Sequence, residues 1–417
     1  MVTVTSEACP RRDLNMSKAL DNLVVLDLTT EFWSSIGTAL LGDFGAHVIK
    51  IESLREASQR RADDGGPGAA VAWDYEAELA QRNKLSLALD LEQEAGHTIL
   101  REVVRKADVF VTDWPCTSIE QHRLDYARLS ALRPDIIYAH ATGFGPKGPE
   151  RDLPALDELA AARTGMMPIL PQPGQPPVYA GAGQMYTAVM LALGVTIALH
   201  HRQATGEGQE VDVSLFAGNI YGASLDVQAF LAMGGERFLH PVSRKDAGNP
   251  MSGVLYPSQD GRWVCLTMPD TDRWWPGFAA MVGLDVDDPR FSSHDKRCGE
   301  NRLELIRVLE DAFHQRPADH WKRELTARQL SADVIEEFDY PATDPQVFRN
   351  RYVLELDRPG AGRVKTLGFP IFMSETPGRL RRTAPCVGQH SAEILHELLG
   401  YSEARIGELA ANGIVSY

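Results

Sequence analysis

Between Leu23 and Ile51 the chain passes from an apolar run through a helical segment into a second apolar run, and that order constrains the fold more than any other feature. Leu23 to Leu28 reads as a strand interrupted only by Asp27, Ile36 to Phe44 as a helix stopped by Gly45, and His47 to Ile51 as a second strand. Strand, helix, strand in so short a span is the signature of a parallel sheet. The alternation continues with a strand at Leu85 to Leu89, a helix at Glu92 to Lys106, a strand at Asp108 to Thr112, a short helix at Leu124 to Leu132 and a strand at Ile136 to Ala139. The first part of the chain is therefore expected to be an α/β, doubly wound parallel sheet, a large Rossmann-like domain over 20–225.

Gln184 to His201 is a nearly all-apolar helix, and its apolar run from Ala188 to Leu199 is shorter than the ~20 residues of a membrane span. It is expected at the centre of the fold, closed by His200 and His201 as caps. Thr205 to Gly208 reads as a tight turn, Glu210 to Phe216 as a half-buried strand and Asp226 to Gly235 as a linker. A smaller α+β domain is expected over 240–335. It has antiparallel strands at Gly253 to Tyr256 and Arg262 to Met268, a core cluster of Trp274, Trp275 and Phe278, and helices at Asn301 to His314 and Pro317 to Leu325. Leu354 to Lys365 is again strand-like, and two helices close the chain, Ser391 to Leu399 with Ser391 as cap and Ser402 to Asn412.

A net charge of −15 argues against nucleic acid or an anionic membrane as the main partner. The five cysteines, Cys9, Cys116, Cys265, Cys298 and Cys386, are scattered and contain no C-x-x-C. They indicate neither a disulfide framework nor a metal site, and fit the reduced cytoplasm. The first twenty residues carry Arg11, Arg12 and Lys18 without an apolar block, so they read as a frayed arm rather than a signal peptide, and Asp63 to Ala72 reads as a loop.

The segment Asp135 to Gly165 brings a strand into a loop made compact by Gly143, Gly145 and Gly148, ahead of a helix that starts at a cluster of acids. The loop spells G-x-G-x-x-G, but Pro146 and Pro149 stand where a dinucleotide fold would begin its helix, which disfavours a nicotinamide or flavin site.

That segment resembles the centre of the class III CoA-transferases, a superfamily that includes the 2-methylacyl-CoA racemases. So do Asn22 to Ser53, Arg82 to Leu91, Ala107 to Trp114, Thr205 to Phe216 and Gly388 to Ser402, in the family's order. The resemblance implies an interlocked dimer, a C-terminal segment over 350–417 that returns to the large domain, and coenzyme A as a substrate, with no bound cofactor and no metal. It also implies CoA contacts at Lys50, Asp113, Trp114 and Gly143, although a lysine at a strand end is more often simply solvated.

The reactive positions depart from the family. Its nucleophile is an aspartate in a P-D-G-P-P loop, and the matching loop here, Pro171 to Pro177, has no carboxylate and places Gly174 at the aspartate's position. The racemase pair falls on Leu156 and Tyr179, neither of which replaces the histidine or the aspartate. The cations expected near the nucleotide fall on Ser53, Glu92 and Gln121, and the small residues with Gly-Pro after the first strand are Trp33, Ser34 and Ser35. Asp157 is a candidate substitute nucleophile beside Glu158, against the plainer reading of two acids stabilising a helix N-terminus.

These departures lead to the expectation of a non-catalytic subunit in a heteromeric CoA-transferase, with a homologous sister subunit supplying the aspartate. Its substrates would be an acyl-CoA such as succinyl-CoA and a carboxylic acid of the benzylsuccinate type. The alternatives are a self-sufficient homodimeric transferase or acyl-CoA lyase using another carboxylate, and a non-enzymatic binding protein on this scaffold.

Overall fold

The computed structural model describes residues 18–54, 74–154, 156–234, 239–358 and 362–417. The frayed arm up to residue 17 and the loop read at Asp63 to Ala72 lie outside them. Two compact units are present: 1–164 with 179–227 and 346–417, and 165–178 with 228–345. The nucleophile-loop segment 165–178, expected within the large domain, thus groups with the second unit.

In the first unit β1 (Val24–Leu28), β2 (His47–Ser53), β3 (Lys84–Leu89), β4 (Val109–Thr112), β5 (Ile137–Thr142) and β6 (Gln209–Ser214) run parallel. The C-terminal strand Val415–Ser416 adds an antiparallel edge on β3. Among the described residues the sheet order is C-terminal strand, β3, β2, β1, β4, β5, β6, the doubly wound order. The helices are α1 (Phe32–Asp43), α2 (Tyr75–Gln81), α3 (Glu94–Val104), α4 (Cys116–His122), α5 (Tyr126–Leu132), α6 (Asp157–Ala162), α7 (Gly183–Thr205), α8 (Leu215–Gly222) and α9 (Ser224–Met233).

Strand alternation divides the core between the two sheet faces. Leu26, Ile49, Leu87 and Phe110 pack with Leu100 and Val103 of α3 and with Ile394 and Leu395 of the closing helix Ser391–Glu397. Val25, Val48, Val109 and Ala139 pack on the other face with Leu41 of α1, Leu191 and Val195 of α7, and Leu215.

Arg82, Asn83 and Lys84 are all buried and join the unit through polar contacts. The Arg82 guanidinium spans both oxygens of Asp43 at 3.2 and 2.7 Å and reaches the carbonyls of Leu367 and Gly368. Asn83, in the left-handed region at φ 62°, donates to Asp43 at 2.7 Å and to the Arg379 carbonyl at 2.9 Å.

The second unit is built on an antiparallel sheet of β7 (Ser252–Pro257), β8 (Trp263–Thr267) and β9 (Ala332–Ile335). Trp275, Phe278, Phe313 and Trp321 form its aromatic core, with Phe313 and Trp321 edge to face at 4.9 Å. Trp274 is only partly buried against this cluster.

Four local expectations change. Residues 224–233 are helix, because an apolar run without clear periodicity still satisfies its backbone as one. α7 runs on to Thr205 and stops at Gly206 in the left-handed conformation, so His200 and His201 sit a turn inside it rather than capping it. It is also not a fully buried core helix. Leu191, Val195 and Ala198 face the sheet and Ala188 packs on Ile36 of α1 and Ala80 of α2, while Tyr186, Val189, Leu193 and Ile197 are about half exposed or more. By length and composition alone α7 is long and apolar enough to cross a membrane. Ser391 is not a cap: its hydroxyl accepts from the Ala88 N–H and donates to the Ser416 carbonyl, which fastens the C-terminal strand.

Candidate active site

The strand order reverses between β1 and β4, and in such sheets ligands sit outside the carboxyl ends of the strands at that point. A crevice of about 120 Å³ lies there. Thr30, Glu31 and Trp33 come to it from the end of β1, Asp113 and Trp114 from the end of β4, Gly143 from the end of β5, and Arg151 and Leu153 from the following loop. Three of the four CoA-contact candidates, Asp113, Trp114 and Gly143, thus line one cavity.

Lys50 does not join them, and the CoA contact expected there is corrected. Its ammonium is buried, 3.3 Å from Asp27 and bonded to the Thr29 carbonyl. Lys84 holds the other Asp27 oxygen at 2.6 Å, and Thr38 donates to it at 2.6 Å. Burial would raise the Asp27 carboxyl, but the Lys50 and Lys84 charges outweigh it and hold the group well below the usual aspartate range. Lys50 is thus part of an internal ionic hub, neither a ligand contact nor a solvated strand end.

Asp113 has a specific local task. Its carboxylate accepts from the N–H groups of Thr30 and Glu31, both at 2.7 Å, and from the Ser34 hydroxyl at 2.7 Å. It thereby fixes the turn that leads from β1 into α1 from the neighbouring strand end. Burial pushes its carboxyl up against the pull of those donors and of Lys50. Burial and the Asp113 charge push the neighbouring Glu31 carboxyl up as well. Glu31 is exposed, and its carboxylate makes no hydrogen bond among the described residues.

Asp157 opens α6 and is 5% exposed. One oxygen accepts from the Tyr179 hydroxyl at 2.5 Å and the other from Asn219 Nδ2 at 2.8 Å. Burial, then the Asp157 hydrogen bond, pushes the Tyr179 phenol well above its usual range. Asp157 therefore ties α6, α8 and the segment before α7 together. Leu156, where the racemases have histidine, is exposed and carries no polar atom, and Glu158 is exposed.

In the second unit Gly174 adopts φ +79° at the tip of the carboxylate-free loop, with open space where a Cβ would stand. Gln172 anchors that loop, accepting from the Arg244 N–H at 3.0 Å and donating to the Val242 carbonyl at 3.3 Å. Glu92 and Gln121 are exposed and bring no cation toward a nucleotide.

The sequence alone did not place Glu31 or Arg151 in the site, and marked Trp33 only as a departure from small residues. Position just past a strand end at the switch point is the signal that finds Glu31 and Trp33, whereas Arg151 belongs to a loop of no fixed geometry. Among the described residues no group of three or more His, Cys, Asp or Glu is placed to hold a metal ion.

Residues 20–391 match the family model of CoA-transferase family III. The chain is 27% identical over 401 residues to cinnamoyl-CoA:phenyllactate CoA-transferase of Clostridium sporogenes, covering 95% of this chain and 97% of that one. It is 31% identical over 402 residues to succinyl-CoA:mesaconate CoA-transferase of Haloarcula hispanica, with coverage of 91% and 96%. A CAIB/BAIF family protein from Brucella suis is similar in structure at a TM-score of 0.77 and 26% identity, over 91% of this chain and 99% of that one. The chain belongs to CoA-transferase family III, whose members move coenzyme A between acyl-CoA and carboxylate substrates.

Proposed function

We propose that this chain is the subunit of a two-chain CoA-transferase that leaves the covalent step to a homologous sister subunit. In that step a carboxylate oxygen attacks the acyl-CoA carbonyl, the C–S bond breaks, CoA departs as thiolate, and an enzyme-bound anhydride results. The observation that carries the reading is the loop Pro171–Pro177, which offers the carboxamides of Gln172 and Gln175 but no carboxylate. Asp157 is a poor substitute, since each of its oxygens already accepts a hydrogen bond inside the fold.

The uncovered side of α7 supports a partner. Tyr186, Val189, Leu193 and Ile197 recur at helical spacing and make one apolar stripe, of the kind that a second subunit covers. On this reading the dimer is interlocked, the donor is an acyl-CoA such as succinyl-CoA, the acceptor is an aromatic acid such as benzylsuccinate, and the enzyme works in the cytoplasm. A relative named for cinnamoyl-CoA and phenyllactate supports the aromatic acceptor.

The test is native mass spectrometry of the chain alone and with a homologue that carries the P-D-G-P-P loop, followed by succinyl-CoA turnover of each species. Turnover confined to the mixed oligomer is expected; turnover by the chain alone would overturn the reading. One observation favours a second reading, a self-sufficient transferase. Glu31 is an exposed, unbonded carboxylate in the crevice, and if the lone chain is active, loss of activity in Glu31→Gln would assign it as the nucleophile.

A further inference from the structure

A cavity of about 560 Å³ lies where the C-terminal return is bonded to β3, and it shares no lining residue with the crevice at the ends of β1 and β4. Asp357 of the strand Val353–Arg358, Arg381, Arg382, His390 and Glu393 line it. His390 is 9% exposed, and its Nδ1 accepts from the Ser86 N–H at 3.2 Å. Burial lowers the ring's pKa against the pull of Glu393, so the ring is neutral and carries its one proton on Nε2. That donor has no partner among the described residues. A buried donor beside a cavity calls for an acceptor inside it.

The charges around it are unmatched as well. Arg382, Asp357 and Glu393 form no ion pair among the described residues, and the Arg381 guanidinium is bonded to the Gly42 carbonyl. The backbone fixes Arg382 in place, accepting from the Asn83 N–H at 3.0 Å and donating to Asn83 Oδ1 at 3.2 Å. Exposed charges are usually left to water. Here two cations and two acids stand around one gap beside a buried donor. An anion alone would meet the two acids and a cation alone the two arginines, whereas a molecule carrying both charges is matched at each end.

We propose that this cavity is a binding site for a small zwitterion of the α-amino acid class, its carboxylate accepting from Arg382 and His390 Nε2–H and its ammonium donating to Glu393 and Asp357. The lining charges sum to zero, as a zwitterion requires and a phosphate does not. The volume admits such a molecule together with water that bridges it to the wall. The proposal goes beyond the acyl-CoA reading and does not depend on it, because none of these groups belongs to the crevice or to the Pro171–Pro177 loop.

The test is calorimetry of the full chain with each of the standard α-amino acids, and with acetate and methylammonium as the two halves of the zwitterion. At least one amino acid is expected to bind saturably with Kd of about 1 mM or below, and each half at least tenfold more weakly. Arg382→Ala and Glu393→Gln change exposed side chains outside the core, so both variants should fold, and each is expected to weaken the amino acid about tenfold. No saturable binding by any amino acid, acetate binding as tightly as the best of them, or an affinity unchanged in either variant overturns the proposal; the acetate result would leave a plain carboxylate site. Turnover by the lone chain would sink the two-chain reading and leave this result standing, while absent amino-acid binding beside an active mixed oligomer would do the reverse.

Discussion

Replacing Asp157 by asparagine separates an anchoring carboxylate from a nucleophilic one, because the two roles predict different losses. The carboxylate is 5% exposed and accepts from Tyr179 at 2.5 Å and from Asn219 at 2.8 Å. Asparagine keeps the volume and one acceptor oxygen for Asn219, and turns an amide N–H toward the Tyr179 hydroxyl oxygen, which can accept it. Both hydrogen bonds then lose their charge assistance, each falling from about 1.5–3 kcal/mol toward the neutral value near 1 kcal/mol. Loss of an acid from the first turn of α6 adds a few tenths of a kcal/mol. The sum is a destabilisation of about 3 kcal/mol, read as a lower urea midpoint at unchanged slope. Turnover per folded active enzyme should stay within about threefold. A nucleophile would instead lose about four decades, some 5 kcal/mol of transition-state stabilisation. A folded Asp157→Asn enzyme whose turnover falls a thousandfold or more refutes the anchoring argument, as does a stability change below about 0.5 kcal/mol.

Leu193→Asp places a charge in the exposed stripe of α7. It should change the chain's own stability by no more than about 0.5 kcal/mol, while native mass spectrometry shows the mixed oligomer lost. Lys50→Met removes one of two cations from the buried Asp27 and should cost about 3–5 kcal/mol in chemical unfolding, with CoA affinity per folded molecule unchanged in calorimetry. Acid should weaken the same hub in a defined window. The folded Asp27 carboxyl is depressed, so its contribution is complete above the ordinary aspartate pKa of about 3.9 and declines as pH falls below it, a slope that Asp27→Asn should flatten in unfolding measured against pH. Gly208→Ala would put a methyl carbon 2.2 Å from the Ile136 carbonyl oxygen, a backbone clash that should lower the melting temperature by several degrees.

The parallel sheet was legible because its strands are continuous apolar runs separated by helices, a pattern that local composition alone produces. The hairpin Ser252–Pro257 with Trp263–Thr267 was legible for a similar reason, through the Ser258, Asp260 and Gly261 turn. Lys50 was misread because nothing in the spacing says that Asp27, 23 residues earlier, lies one strand away in register with it. The role of Asp113 was hidden in the same way: it holds the turn into a helix that begins 81 residues before it, and only the β1–β4 pairing brings them together. The half-bare face of α7 was unreadable because an all-round apolar helix looks identical whether its second face meets its own chain or another.

The segments that carry the family resemblance do mostly structural work in this chain. Asp27, Lys50 and Lys84 close one buried ionic hub, and Asp43, Arg82 and Asn83 close a second around the C-terminal return. Removing any one of these charges strands its partners in a medium where they cannot be solvated, so these residues are held by folding whether or not the protein binds CoA. Membership in the family therefore fixes the scaffold independently of the chemistry, and the chemistry has to be argued from the few positions that the scaffold leaves free. Those are Glu31, Trp33 and the tip of the Pro171–Pro177 loop, none of which is required to complete a buried ion pair. Gly174→Asp tests that separation directly. Aspartate tolerates the left-handed conformation better than most residues, the site is open, and the cost should be about 1 kcal/mol. If the scaffold and the chemistry are separable, this variant should fold alone and form a covalent acyl adduct with succinyl-CoA that the unaltered chain does not form, detectable as an added mass. An unaltered chain that forms the same adduct would show that its nucleophile lies elsewhere and is still present.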